Sequence, residues 1–268
     1  MSRHTLAATG MGVVAACAVA GLVRLLLGAG DGQAAPGSGA SLRAALPASP
    51  RSALDVPTPR GLGDSARVAV WTSVLRGTTA RARPDPRARR VARLGRRTPE
   101  GTANVVLVTG SASDVRGRVW ARVRLAVLPN GTTGWVPRRA LGAYQPVSTH
   151  LVVDRRRLTA TLLRAGRRVF RADIGVGRPR WPTPRGRFYI RDRLTRYRSG
   201  TYGPLAFGTS AQSVQLTDWP AGGFIGIHGT DQPGLLPGRV SHGCIRMRNR
   251  DILRLGRLMA VGTPVTIR

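Results

Sequence analysis

Lysine is absent from the 268-residue chain, and acidic side chains are scarce. All 43 basic residues are therefore arginine, and with only 12 acidic residues the formal net charge is +31. A coding bias explains arginine in place of lysine, but it does not explain the shortage of acids. The charge therefore predicts contact with anionic polymers or lipid headgroups. Nucleic acid is not expected as a partner, because no zinc-ligand spacing, RNA-recognition motif or long basic helix accompanies the charge.

Cysteine is nearly absent as well: the chain holds Cys17 and Cys244 only. Cys-x-x-Cys pairs of structural zinc sites are missing, which argues against a metal site of that kind. No metal and no other cofactor is expected. Cys17 lies in the uncharged stretch Thr5–Val23, which follows the basic Arg3. A basic start followed by an apolar run predicts an export signal or a membrane anchor in residues 1–35, the only expected membrane contact. Residues 14–17 resemble a lipobox, but the apolar run continues past Cys17, which favours a plain leader.

Residues 36–65 are rich in Ala, Gly, Pro and Ser and predict a flexible linker. Residues 66–147 then show the pattern of a small β module. In Val119–Leu125 apolar residues alternate with Trp and Arg, and a Pro-Asn-Gly turn at 129–131 follows. The run NGTTGWVPRRAL resembles the SH3-like domains of bacterial envelope enzymes. Its Trp135 is expected in the core of such a barrel, with a ligand-stacking role as the alternative.

Residues 149–268 consist mainly of short apolar runs separated by Gly, Pro and Asp turns, which predicts a β-sandwich or barrel rather than alternating β and α units. One helix is expected near the C-terminus. Asn249 is its predicted N-cap, Asp251 lies in its first turn, and Gly262 with Pro264 would end it. A last strand is predicted at Val265–Ile267. The chain is therefore expected to be mainly β with one short helix.

The run SHGCIRM contains Cys244, which export would leave without a partner in the mature chain. Such a cysteine is a reactive thiol, an intermolecular disulfide partner or a buried apolar residue. A thiolate nucleophile needs a base and oxyanion donors. His242 is adjacent, and His228 ends an apolar strand sixteen residues upstream. Gly243 permits unusual backbone dihedrals, so the amides around Gly243 and Cys244 are candidate oxyanion donors.

The pair of motifs IHGT and SHGCIRM resembles the catalytic motif of the L,D-transpeptidases, the penicillin-insensitive cross-linkers of bacterial peptidoglycan. Residues 182–190 are similar to the T-P-x-G-x-F segment of that family, and residues 202–204 and 208–210 resemble its middle part. The resemblance covers about residues 149–268. It implies a β-sandwich catalytic domain in the cell envelope that acts on peptidoglycan stem peptides.

Residue roles follow from the same resemblance. Cys244 is expected to be the acylated nucleophile and His228 the proton donor and acceptor. His242 is expected to shape the site electrostatically, and the Gly243 backbone to line the oxyanion site. Substrate contacts are assigned to the set Ser241, Thr230 and Arg246. For Ser241 and Thr230 the alternative is loop hydrogen bonding, and for Arg246 it is a solvated or loop-pairing arginine.

The implied reaction is acyl transfer through a thioester. The sulfur attacks the third, L-centred residue of a tetrapeptide stem, D-alanine leaves, and an amine of another stem forms a 3→3 cross-link. Water as the acceptor would give a carboxypeptidase, and an envelope lipoprotein would give an anchoring enzyme. Two further alternatives are a metal site at His228, His242 and Cys244, and a non-catalytic wall-binding protein.

Overall fold

The computed structural model describes residues 68–195, 200–213, 215 and 223–268. The predicted export segment, residues 1–35 with Cys17, and the predicted linker, residues 36–65, lie outside the described residues. Among the residues described, no helix has the length and apolar character needed to cross a membrane. The described chain is mainly β with one short α-helix near its C-terminus, which confirms the predicted fold class at that level.

The strands that precede residue 148 form one antiparallel sheet, called here the first sheet. Its members are β1 Ala69–Ser73, β2 Thr78–Arg81, β3 Arg90–Leu94, β4 Val105–Ser113, β5 Val119–Arg124, β6 Thr133–Pro137 and β7 Gln145–Val147. Their spatial order is β3-β2-β6-β5-β4-β1-β7. Small aliphatic side chains such as Val106, Ala121 and Val136 fill the core of this sheet. Short strands joined by tight turns suit such a small core.

Two expectations about the first sheet are wrong: the faces on which Val119 and Trp120 lie, and the place of Trp135 in the core. Val119 is 49% exposed, whereas Trp120, predicted on the polar face, is only 3% exposed. Burial of Trp120 is possible because its indole N–H donates to Asp114 at 3.1 Å. Trp135 is half-buried at a position opposite Arg81 and Arg122, and does not belong to the core cluster.

The strands that follow residue 148 form the second sheet. Its members are β8 Thr149–Asp154, β9 Thr159–Arg164, β10 Arg167–Asp173, β11 Gly175–Gly177, β12 Gly186–Leu194, β13 Ala206–Gln212, β14 Phe224–His228, β15 Gly238–Ser241, β16 Ile245–Arg246 and β17 Pro264–Ile267. Their order is β10-β9-β8-β17-β12-β13-β14-β16-β11-β15. Most pairs are antiparallel, but β8 with β17, β14 with β16 and β11 with β15 are parallel. The predicted last strand at Val265–Ile267 is confirmed within β17.

The single α-helix of the described residues, α1, spans Asn249–Leu258 and buries Ile252 and Leu255 against the second sheet. Asp251 lies in its first turn as predicted. The predicted N-cap is wrong, because Arg248 occupies the cap position. The Asn249 side chain instead accepts a hydrogen bond from the backbone of Thr230. The helix also ends before the stop predicted at Gly262 and Pro264. Its last residue is Leu258, and Met259 follows as an extended C-cap.

The two sheets belong to one compact unit and share a buried interface. Tyr189 of β12, 1% exposed, donates its hydroxyl hydrogen to the carbonyl of Val105 at 3.1 Å. The only glutamate of the chain, Glu100, projects from the first sheet onto Arg191 at 2.6 Å, and both side chains are at most 5% exposed. Asp192 adjoins the same guanidinium at 3.2 Å. A buried ion pair of this kind is sensitive to the loss of either partner.

Candidate active site

The site is built on two neighbouring parallel strands of the second sheet, β14 and β16. Ile227 pairs with Ile245, and His228 pairs with Arg246. Both isoleucines are fully buried in the core. Because side chains alternate along a strand, His228 lies on the face opposite to these isoleucines, as does Cys244 one residue before β16. The fold thus brings together a histidine and a cysteine that are sixteen residues apart in the sequence.

The sulfur of Cys244 is held at the edge of the core. The residue is 7% exposed, and its Sγ accepts a hydrogen bond from the backbone N–H of Gly226 at 3.3 Å. Gly226 lies two residues before His228 on the same strand, β14. The thiol therefore lies beside the strand end that carries the histidine.

The hydrogen bonds of His228 define its tautomer. Its Nδ1 lies 2.6 Å from the carbonyl oxygen of Gly229, and the residue is 1% exposed. A carbonyl oxygen only accepts, so Nδ1 carries the hydrogen and proton transfer to or from substrate falls to Nε2. The ring of Tyr202 packs edge-on against the imidazole, with centroids 4.7 Å apart. The backbone here provides the orienting partner that a general base requires.

Asn249 is a site residue that sequence reasoning missed. Its Oδ1 accepts a hydrogen bond from the N–H of Thr230 at 2.9 Å. That N–H belongs to the same peptide unit as the Gly229 carbonyl, which accepts from His228. A side chain added at Gly229 or Gly203 would collide with the Asn249 amide. The signal available in the sequence, an Asn before a helix, was assigned to capping instead.

The loop before Cys244 is fixed by Ser241, which is 2% exposed. The Ser241 hydroxyl donates to the carbonyl of Cys244 at 2.6 Å and accepts from the N–H of Gly243 at 3.1 Å. Gly243 has a φ of +125°, and a Cβ there would lie 3.1 Å from Ile225 Cδ1. Glycine meets both conditions because it has no side chain. Ser241 thus has the loop-holding contacts given above as the alternative to substrate binding.

Thr183 is a second residue whose role the sequence did not reveal. It is 1% exposed, donates to the carbonyl of Gly243 at 2.7 Å, and accepts from the N–H of Gly177 at 2.9 Å. Arg155 in turn donates to the Thr183 carbonyl. The threonine was visible in the T-P-x-G segment, but its partner lies sixty residues further along the chain.

The remaining predicted residues are placed as follows. His242 is exposed, and its ring packs edge-on against Trp181 with centroids 4.3 Å apart. Thr230 is 1% exposed, and its hydroxyl accepts from the N–H of Gln232 at 3.1 Å. Arg246 is half-buried, and its Nε is buried without a hydrogen-bond partner among the described residues. The structure therefore separates a buried histidine from an exposed one.

The chemistry of this arrangement is that of a thiol with an oriented imidazole. Among the described residues no group of three or more His, Cys, Asp or Glu side chains is placed to hold a metal ion. A histidine that ends β14 and a cysteine that directly precedes the adjacent strand β16, beside a loop held by buried hydroxyls, define a candidate site for nucleophilic acyl transfer.

Comparison with known proteins finds similarity to one family in the C-terminal part of the chain. Residues 148–267 match the family model YkuD, the L,D-transpeptidase catalytic domain. A candidate L,D-transpeptidase named YkuD from Bacillus subtilis (strain 168) is 36% identical over 118 residues, which are 44% of this chain and 65% of that protein. Its namesake from Bacillus licheniformis is 38% identical over 94 residues, 35% of this chain and 50% of that protein. The chain thus aligns with less than two thirds of either relative.

Solved structures with the same family designation also align. The catalytic domain of the Enterococcus faecium L,D-transpeptidase is 26% identical, covers 45% of this chain and 96% of its own, and gives a TM-score of 0.35. An L,D-transpeptidase from Mycobacterium tuberculosis H37Rv is 17% identical, covers 62% of this chain and 90% of its own, and gives a TM-score of 0.40. The family model and the curated relatives, rather than these low TM-scores, support an L,D-transpeptidase catalytic domain in residues 148–267.

Proposed function

We propose that this protein is an L,D-transpeptidase that cross-links peptidoglycan stems through a thioester on Cys244. The observation that carries the proposal is that His228 ends β14 and Cys244 directly precedes the parallel neighbour strand β16, inside the region that matches the family model. The oriented Nδ1–H of His228 supports its assignment as the proton donor and acceptor. The predicted leader supports an envelope location.

In the first half-reaction the Cys244 thiol gives its proton to Nε2 of His228, and its sulfur attacks the carbonyl carbon of the third, L-centred residue of a tetrapeptide stem. The bond to D-alanine breaks, and the departing nitrogen takes a proton from Nε2 of His228. In the second half-reaction an amine of another stem attacks the thioester, gives its proton to His228, and releases the thiolate. Atoms and charges balance without a cofactor, and the product is a 3→3 cross-link.

Substrate recognition is assigned to Arg246. Its register places it opposite His228, and its buried Nε lacks a partner among the described residues. Buried donors are normally hydrogen-bonded, so an unmatched guanidinium beside the reacting groups suits a substrate carboxylate. In the proposal the first sheet is an SH3-like module that holds the enzyme at the wall. Arginine-rich surfaces on it support attachment to anionic polymers.

Mass spectrometry after incubation with a carbapenem tests the nucleophile. The Cys244 sulfur attacks the β-lactam carbonyl, the ring C–N bond breaks, the ring nitrogen takes a proton, and a thioester adduct remains. We expect one stable adduct on the full chain and none on the Cys244→Ala variant. Absence of an adduct from both proteins would support a non-catalytic wall-binding protein.

Analysis of the muropeptides formed from tetrapeptide substrates identifies the acceptor. Dimers with a 3→3 linkage and released D-alanine are expected. Tripeptide monomers as the sole product would show that water is the acceptor and that the enzyme is an L,D-carboxypeptidase.

A further inference from the structure

Two adjoining cavities lie on the first sheet, far along the chain from the Cys244 site. One has a volume of about 430 Å³ and the other about 500 Å³, and both are lined by Pro86 and Arg118. The second cavity continues along the loop of Arg83 and Arg87 and the turn of Arg116. The first continues towards Arg138 and Arg139. The two cavities, joined by these shared lining residues, are together called here the arginine groove.

The carboxylates near the groove are already committed to the protein itself. Asp114 accepts from the N–H groups of Arg116 and Arg118 and from the side chains of Arg118 and Trp120. Asp85 accepts from the N–H of Arg87. Within the described part of the chain, Arg118 is the one groove arginine in a side-chain ion pair. The groove therefore presents a concentrated positive charge that its own acids do not neutralise.

Part of the groove lining is apolar. Pro86, the exposed Val119, the buried Trp120 and Pro137 line its first cavity. Guanidinium groups match phosphate and carboxylate oxygens in bidentate pairs, and exposed aliphatic surface suits the carbon skeleton between such groups. Two linked cavities accommodate a chain with repeated charges better than a single ion.

We propose that the arginine groove binds a linear anionic polymer of the cell wall whose repeated charges are phosphates or carboxylates. The choice of a wall polymer rests on the proposed function, since the substrate of the Cys244 site would lie in the same layer. Binding here holds the enzyme on its substrate without contact with the catalytic residues.

The test must separate a site from the overall charge of the protein. A groove variant, Arg116→Glu with Arg139→Glu, is compared with a control variant, Arg167→Glu with Arg168→Glu, on the edge strand β10. All four arginines are exposed, and both variants lose the same formal charge. The probes for the full chain are long-chain inorganic polyphosphate and polygalacturonate, at physiological salt. These two probes distinguish a phosphate source from a carboxylate source.

We expect the groove variant to lose about tenfold or more in affinity for at least one probe, with a smaller slope of affinity against salt. The control variant should lose no more than about threefold, because its arginines contribute only through long-range charge. Equal losses in the two variants would overturn the proposal. So would tighter binding of single-stranded DNA than of either probe, because the groove would then be a nucleic-acid site. Carbapenem acylation of the groove variant should be unchanged.

A second inference concerns two peptide planes at the Cys244 site and rests on the proposed function. The Gly243–Cys244 peptide is not among the cis bonds of the described chain, so its C=O and N–H point in opposite directions. Thr183 holds the C=O of that unit, while the N–H of Gly243 is taken by Ser241. We infer that Thr183 is a positioning residue that directs the Cys244 amide, rather than the Gly243 amide, at the oxyanion.

Asn249 acts on the other peptide plane in the same way. It holds the N–H of Thr230, and the Gly229 carbonyl at the opposite side of that unit accepts from His228. Each reacting side chain is therefore paired with a backbone group whose direction is set by a side chain outside the SHGC motif. Such preorganised dipoles lower a barrier because they need no reorientation during the reaction.

Two reactions at the same sulfur test the role of Thr183. Carbapenem acylation develops an oxyanion, whereas alkylation by iodoacetamide does not. For Thr183→Val we expect the rate of acylation to fall about 10- to 100-fold. This fall does not exceed the one seen when an oxyanion donor itself is removed. Alkylation of the Cys244-containing peptide should change less than about twofold, and Thr183→Ser should restore acylation.

Parallel losses in acylation and alkylation would show a merely structural role and overturn the inference. Unchanged acylation of Thr183→Val would overturn it as well, while leaving the proposed function intact. Failure of the unaltered protein to form any adduct would instead contradict the proposed function itself.

Discussion

The candidate site of the second sheet and the arginine groove of the first sheet place their polar side chains differently. At the candidate site Thr183, His228 and Ser241 are each at most 2% exposed and are hydrogen-bonded. The groove displays its arginines around two cavities, and its two acids, Asp85 and Asp114, accept hydrogen bonds from backbone N–H groups of nearby arginines. Buried, satisfied polar groups keep one geometry, which chemistry requires. Exposed charges adapt to varied partners, which suits attachment to a polymer.

The largest expected effect separates the buried histidine from the exposed one. His228→Gln should reduce the rate of carbapenem acylation and of cross-linking about 10²- to 10⁴-fold, because it removes the proton donor and acceptor. His242→Gln, the matched control, should reduce the same rates less than about tenfold, since its ring packs on Trp181 at the surface. Stopped-flow acylation and product analysis measure both. A larger loss of rate for His242→Gln than for His228→Gln would show that His242 is the proton donor and acceptor.

The next effect concerns the contact between the sheets. Glu100→Ala should destabilise the protein by about 3–5 kcal/mol, because it leaves the guanidinium of Arg191 buried without its glutamate. Asp251→Ala is the control: its partner, Arg250, is 80% exposed at 3.8 Å, so the loss should be at most about 1 kcal/mol. Urea unfolding followed by circular dichroism gives both values. Similar values would mean that the interface ion pair does not hold the sheets together.

A smaller effect is expected on substrate binding. Arg246→Met should raise KM for the stem peptide about 10- to 100-fold, as expected for a charge-assisted hydrogen bond of about 1.5–3 kcal/mol. The kcat should fall much less, because the residue is assigned to binding rather than to proton transfer. Arg250→Met, at an exposed position on α1, should leave both constants unchanged. A fall in kcat alone would contradict a carboxylate-binding role.

The smallest effect is the response of the first sheet to acid. Desolvation tends to raise the pKa of Asp114, but hydrogen bonds from Trp120, Arg118 and Arg116 outweigh it and lower the pKa to about 2. The pKa of an aspartate in an unfolded chain is about 3.9. The folded pKa is lower, so the carboxylate stabilises the fold above about pH 4, and this contribution is lost as the pH falls towards 2.

The variant Asp114→Asn should therefore unfold with a weaker pH dependence between pH 4 and 2. Asp154→Asn is the matched comparison in the second sheet, since Asp154 accepts from the N–H groups of Arg156 and Arg157 and also has a lowered pKa, mainly from the Arg157 N–H. Its removal should weaken the pH dependence in the same direction. Tryptophan fluorescence during acid unfolding follows the change near Trp120. An identical pH dependence in Asp114→Asn and the unaltered chain would contradict the assignment.

Local patterns predicted several elements well. The strand that ends at His228 and the last strand at Val265–Ile267 follow from apolar runs and their turn residues. Asn249 shows the limit of this approach. Asn before an apolar-periodic run is typical of a helix N-cap. The Asn249 side chain instead accepts a tertiary hydrogen bond from the backbone of Thr230. Trp120 is buried and Val119 exposed for a similar reason, because the indole N–H of Trp120 donates a hydrogen bond to Asp114.

The sequence by itself determined the mainly β class, the short helix, and Cys244 with His228 as the candidates for chemistry, because all of these depend on local periodicity or on short motifs. Tertiary structure alone decided which histidine is buried, which amide of the nucleophile loop is taken by Ser241, and which side chains hold the two peptide planes. Thr183 meets Gly243 across sixty residues, and Asn249 meets Thr230 across nineteen. Contacts at such separations depend on how the strands pair, and no local pattern in the chain encodes them.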